Sequence, residues 1–224
     1  MPYRKTPIVA GETYHVFNRS IAGIPIFTNS REYHRILEII NFYRHGGLPL
    51  RYSHFNRLTI KLKNQFTKSF LDNSDPIIDI LSYCIMPNHV HFLLRQIDKS
   101  GISHFMRNLQ NSYSKYFNII NTRSGSLFQS MFKAVRIETN EQLLHVSRYI
   151  HLNPVSYYIV KVEQLHTYIW SSYNDYISEA KINSFVNEKT ILNQFKSKDA
   201  YRKFVMDQAD YQRQLTNIRH LILE

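Results

Sequence analysis

Between positions 77 and 95 the chain carries two apolar runs separated only by Met86-Pro87-Asn88, and the second run opens with His89-Val90-His91. No other feature narrows the possible folds as much. Three residues leave room for a tight reversal, so residues 77–85 and 89–95 read as two neighbouring antiparallel strands. Side chains alternate between the faces of a strand, which puts His89 and His91 on one face and Val90 and Phe92 on the other. Two imidazoles side by side can hold one metal ion, provided another group completes the shell.

The flanking sequence supplies the rest of a sheet. Residues 11–19 contain Thr13-Tyr14-His15-Val16-Phe17, mostly β-formers, and read as a first strand. Gly23 and Pro25 then mark a turn region. Asn29 or Ser30 caps a helix whose apolar positions Ile36, Leu37, Ile39, Ile40 and Tyr43 recur at helical spacing before Gly46-Gly47. Residues 48–74 are basic and show no clear period, which suggests part strand or a mobile loop. Ile102, Phe105, Met106, Leu109, Tyr113 and Tyr116 make a clear amphipathic helix that stops near residues 121–125. Phe132, Ala134, Val135 and Ile137 suggest a fourth strand. Thr139 or Asn140 caps a further helix from 141 to about 151, with Asn153-Pro154 as its stop.

Strand, helix, strand, strand, helix, strand is the split βαββαβ pattern. The expected fold is therefore α+β: a ferredoxin-like antiparallel sheet, an added helix that can lie across one face, and a helical C-terminal extension. The domain division expected is 1–157 for the catalytic unit and 158–224 for the extension, with Ile191, Leu192, Phe195, Phe204, Val205, Leu215, Ile218 and Leu221 as its packing contacts.

Charge narrows the partner. The 224 residues include 28 Lys and Arg against 17 acids, a formal net charge of +11. Residues 99–137 contain no acid but six bases, Lys99, Arg107, Lys115, Arg123, Lys133 and Arg136, and residues 51–70 are likewise acid-free. Tracts of this kind attract polyanions. Sixteen Tyr and fourteen Phe lean the reading toward unpaired bases, on which aromatic faces stack. The single cysteine, Cys84, excludes an internal disulfide and a Cys-based zinc site. No apolar stretch is long enough for a membrane span, and the first residues lack a signal-peptide h-region, so a cytoplasmic location is expected.

On the helix beginning at residue 141, Leu143, Val146 and Ile150 form a core-facing stripe, and His145, Tyr149 and Asn153 form a second. If the second stripe faces His89 and His91, a phenol and an amide meet a two-histidine metal site. A metal with few protein ligands keeps positions open for a phosphate oxygen and acts there as a Lewis acid. A phenol is a poor nucleophile at neutral pH, and polarising the phosphate while positioning the phenol lowers that barrier. The plainer readings are a helix stop at Asn153-Pro154, a surface His145, and core roles for Tyr113 and Tyr116.

These residues together resemble a known family, the single-tyrosine HUH transposases, and within it the REP-associated tyrosine transposases. The resemblance rests on Tyr14-His15-Val16-Phe17-Asn18-Arg19, Met86-Pro87-Asn88-His89-Val90-His91, Gly125-Ser126-Leu127-Phe128-Gln129 with Phe132-Lys133, Arg148-Tyr149-Ile150-His151-Leu152-Asn153-Pro154-Val155, and Trp170-Ser171-Ser172-Tyr173. It implies Tyr149 as nucleophile, and His89 and His91 as ligands of Mg²⁺ or Mn²⁺. Insertion-sequence relatives carry a Gln as third ligand where this chain has Asn153, and the REP-associated branch carries Asn-Pro there. The resemblance further implies nicking and rejoining of single-stranded DNA beside hairpins through a 5′-phosphotyrosine, by a monomer or a homodimer. Arg19, Arg107, Lys115, Arg123, Lys133 and Arg136 are the expected DNA contacts. The alternative from another class is a non-catalytic single-stranded nucleic-acid-binding protein of the same fold. A water-using hydrolase ranks last, because the only carboxylate near the histidine pair is Asp98.

Overall fold

The computed structural model describes residues 7–208. Leu215, Ile218 and Leu221 lie outside the described residues. Four strands, β1 (Thr13–Arg19), β2 (Ile78–Met86), β3 (His89–Gln96) and β4 (Lys133–Arg136), form one sheet in the order β2-β3-β1-β4. Every pairing is antiparallel, and β3 lies between β1 and β2. That order follows from the connections. The tight Pro87-Asn88 reversal makes β2 and β3 neighbours, while a long crossover separates β1 from β2 and leaves a gap that β3 fills.

The crossover begins with α1 (Ser30–Tyr43). The Asn29 side chain caps it by accepting the Glu32 N–H, and the Glu32 carboxylate reaches back to the Thr28 N–H at 2.6 Å. This reciprocal bonding satisfies donors that a helix start leaves free. Residues 48–74, expected as strand or mobile loop, instead form the short helices α2 (Tyr52–Phe55) and α3 (Ile60–Phe66) and a π-turn at Thr67–Leu71. Their period was hidden because an aromatic cluster, not a regular stripe, holds them: Tyr52, Phe55 and Phe66 pack around Phe42 of α1.

α4 (Gly101–Ile120) covers the same face of the sheet as α1, and α5 (Asn140–Ser156) covers the other. Strand alternation makes the division visible: Phe92 meets Phe105 of α4 at 5.6 Å between ring centroids, and its neighbour His91 meets Tyr149 of α5 at 5.7 Å. Tyr113 and Tyr116 therefore lie across the sheet from the histidines; Tyr113 is fully buried and its hydroxyl donates to the Ile26 carbonyl.

Gly101 opens α4 directly against the β2 entrance. A Cβ there would lie 2.0 Å from the Ile77 carbonyl oxygen, which already accepts the Ile97 and Asp98 N–H groups. Gly101→Ala is expected to cost about 1–3 kcal/mol through this backbone clash. A thermal melt should show it as a midpoint lowered by several degrees.

Helix α5 does not stop before Pro154, as expected, but runs on to Ser156. Proline lacks the N–H that would bond the Ile150 carbonyl. The Asn153 side-chain amide takes its place, donating to the Tyr149 carbonyl at 2.8 Å and more weakly to Ile150 at 3.4 Å. Local side-chain bonding thus carries the helix across a residue that usually ends one.

After α5 the chain runs along the outer edge of β2. Ile85 N–H donates to the Trp170 carbonyl, Ser172 N–H to Tyr83, and Asn187 N–H to Ile80. The short helices α6 (Tyr173–Ile177), α7 (Lys189–Leu192) and α8 (Lys198–Met206) then pack on the far side of α5. His151 of α5 is sealed between them, bonded to Tyr201 Oη and Ser172 Oγ, each at 2.8 Å.

Candidate active site

The β1–β3 register sets Phe17 opposite His91 and Arg19 opposite His89. On the face turned to α5, these four side chains and His15 form a floor of rings and one guanidinium. The His89 and His91 ring centroids are 4.9 Å apart, and His15 stacks on His91 at 5.2 Å. Tyr149 stands edge-on over both His91 and His15, at 5.7 Å from each. The structure therefore brings His89, His91 and Tyr149 together within one chain. Asn153 sits one helical turn further along α5 and is fully buried.

Hydrogen bonding fixes which imidazole nitrogen carries the proton. Asn88 Nδ2 donates to the Gly23 carbonyl, so its Oδ1 is left to accept, and it lies 2.5 Å from His89 Nδ1. An amide oxygen only accepts, so His89 Nδ1 is protonated and Nε2 bears a bare lone pair. That Nε2 is buried with no hydrogen-bond partner, and so is Asn153 Oδ1. Buried acceptors left this way cost free energy that a ligand can recover. His91 Nδ1 lies 3.0 Å from His15 Nε2, so these two rings share one proton. Among the described residues no three His, Cys, Asp or Glu side chains are grouped to hold a metal ion; the third candidate donor here is an amide.

Burial sets the charge of the site. It lowers the His15 pKa to about 4; for His89, burial together with the Arg19 charge brings it to about 3. His91 is pushed well down by burial and then by its two histidine neighbours, and burial alone takes His151 to about 3. Each folded value lies below the unfolded 6.5, so the neutral rings give their full stability above pH 6.5 and lose it as pH falls toward 3. At pH 5 that loss is about 2 kcal/mol for each of His89 and His151, against a typical net stability of about 5–15 kcal/mol. Thermal midpoints recorded from pH 7.5 to 4.5 are expected to be flat at first and then fall steeply below pH 6.5.

The six expected DNA contacts separate into three groups. Arg19 and Lys133 lie on the open half of the site face, where the Lys133 ammonium stands 5.9 Å from the Phe17 ring centroid. Arg136, on the same strand as Lys133, is paired with Glu12 at 2.7 Å. Arg123 ties its own loop together through Asn118 and the Ser126 carbonyl. Arg107 and Lys115 belong to α4 and line a cleft on the other side of the molecule. His145 is not part of the site either: it bonds Arg148 at 2.7 Å and faces Phe204 of α8.

Three residues at the site had no role in the sequence reading. His15 partners His91, Asn88 orients His89, and Tyr157 places its ring 5.2 Å from His89 while its hydroxyl accepts from Arg19 at 3.4 Å. His15 shares strand parity with Phe17 and Arg19, a signal visible in the sequence, but only the β1–β3 register shows what that parity faces.

Comparison with known proteins bears on the same region. No curated protein matches the sequence. Among solved structures the chain is similar to a REP-associated tyrosine transposase bound to a REP hairpin, with 14% identity, 84% of this chain and 93% of that one covered, and a TM-score of 0.49. The family model described as "Transposase IS200 like" matches residues 51–153, a span that holds His89, His91, Tyr149 and Asn153. By that match the chain belongs to the IS200-like transposase family.

Proposed function

We propose that this protein is a transposase that cuts and rejoins single-stranded DNA through a covalent link to Tyr149. The observation that carries the reading is the meeting of Tyr149 with the His89–His91 pair in one polypeptide. Attack by the Tyr149 oxygen on a phosphodiester forms the O–P bond and breaks the bond to the 3′ oxygen, leaving a 5′-phosphotyrosine and a 3′-hydroxyl. The phenolic proton is passed, through solvent, to that departing oxygen. No water is consumed, so the reverse attack by a hydroxyl-ended strand rejoins DNA without an energy source.

The donor set suits Mg²⁺ or Mn²⁺. His89 Nε2 and Asn153 Oδ1 are buried acceptors without partners, and His91 joins them when its Nδ1–H donates to His15, which leaves its Nε2 as a lone pair. When bound, the ion supplies Lewis-acid polarisation of the phosphate. The chain's own groups do the positioning. Arg19 and Lys133 supply positive charge on the open half of the face, and the Phe17 ring between them offers a surface for a base. The Asn153-Pro154 pair and the motifs around it support a strand flanked by a hairpin as the substrate.

The test is incubation with single-stranded hairpin oligonucleotides and Mn²⁺, followed by denaturing gel analysis. A protein band shifted by covalent DNA is the expected result. Tight binding with no adduct across the oligonucleotides would favour the non-catalytic binder.

A further inference from the structure

On the face of the molecule opposite Tyr149, a cleft of about 1400 Å³ runs along the outside of α4, walled by α1 and by residues 45–57. Arg35, Arg51, Arg57, Arg107 and Lys115 line it. Its acids, Asp75 and Asp98, come from the β2 entrance and the β3 exit, at one end. Among the described residues Arg51, Arg57, Arg107 and Lys115 form no ion pair, so four cations face one groove without counter-charges. Arg35 is held differently: it packs on the Tyr52 and Tyr116 rings, donates to Tyr52 Oη, and leaves its buried Nε unpartnered, as is the Tyr116 hydroxyl.

We propose that this cleft is a second nucleic-acid site, which grips the phosphodiester backbone away from the phosphate that is cut. The inference rests on the nucleic-acid reading above and extends it to a surface that the catalytic residues do not touch. Unpaired cations concentrated in a concave groove, with aromatic rings and amides between them, suit a flexible polyanion better than a small anion. Topology connects the two sites. α4 returns antiparallel to β3, so its Tyr116–Ile119 end lies at the end of the sheet that holds Arg19 and His89. The Tyr113 bond to Ile26, and the Ile26 bond to Pro87 in the β2–β3 turn, mark that shared end. A strand leaving the catalytic face round this end enters the cleft.

The test is fluorescence anisotropy of labelled dT30 over a salt series, which needs no cleavage and so stands apart from failure of the covalent chemistry. Arg51→Gln with Arg57→Gln is expected to weaken binding about tenfold and to flatten the log–log salt slope by about 1.4, two lost phosphate contacts at about 0.7 each. The charge-keeping pair Arg51→Lys with Arg57→Lys is expected to bind like wild type and controls for folding. Lys161→Gln with Lys189→Gln removes the same charge outside the cleft and is expected to leave the slope unchanged. An equal loss from that outside pair, or no loss from the cleft pair, would overturn the proposal. So would unchanged dT30 binding accompanied by lost binding to phosphatidylserine vesicles, which would assign the cleft to membranes.

Discussion

Tyr149→Phe is expected to remove covalent capture of single-stranded DNA, by about a thousandfold or more, while binding stays within about twofold. The asymmetry comes from what the substitution deletes. The ring that stands over His15 and His91 is kept, so packing on the floor of the site is unchanged. Only the attacking oxygen is lost. Denaturing gels for the adduct and anisotropy for binding read the two effects separately. A persistent adduct would move the nucleophile elsewhere. Tyr113 is then a poor substitute, because its hydroxyl is buried across the sheet and donates to a backbone carbonyl. Tyr157, beside His89, would be the residue to map first.

The second large effect concerns the ion. Mn²⁺ at a hundredfold above its dissociation constant should stabilise the native protein by about 2.7 kcal/mol, or roughly 5–10 °C for a chain of this size. His89→Ala with His91→Ala should abolish that shift and the metal dependence of adduct formation together. Asn153→Ala should reduce the shift less, because an amide oxygen is a weaker donor than an imidazole. It also removes the bridge to the Tyr149 and Ile150 carbonyls, so its metal-free melting point should fall as well. An undiminished Mn²⁺ shift in the double-histidine variant would place the ion somewhere else.

Much of this arrangement was legible before any coordinates. The shared face of His89 and His91 is a consequence of strand period alone, and the α1 and α4 helices announce themselves through caps and apolar spacing. What escaped were features that depend on register or on a single compensating bond. That Arg19 faces His89, and that His15 reaches His91, requires β1 to pair with β3 at one offset, which a sequence separation of some seventy residues hides. The end of α5 was misplaced because proline's effect on a helix depends on whether another donor reaches the vacated carbonyl. Charge behaved similarly: its total is a property of the sequence, but Arg107 and Lys115 on one face and Arg19 and Lys133 on the other are a property of the fold.

The path of residues 170–187 along β2 has a consequence for how the molecule coexists with its own copies. An uncovered outer strand is a row of unsatisfied amides and carbonyls that can recruit another polypeptide into a growing aggregate. Here β2 is masked by backbone bonds from Trp170, Ser172 and Asn187. The opposite margin, β4, is only four residues long and carries Lys133 and Arg136, whose like charges oppose stacking. One border is shielded by cover and the other by brevity and repulsion, so a broad half-open sheet can remain bare without templating fibrils.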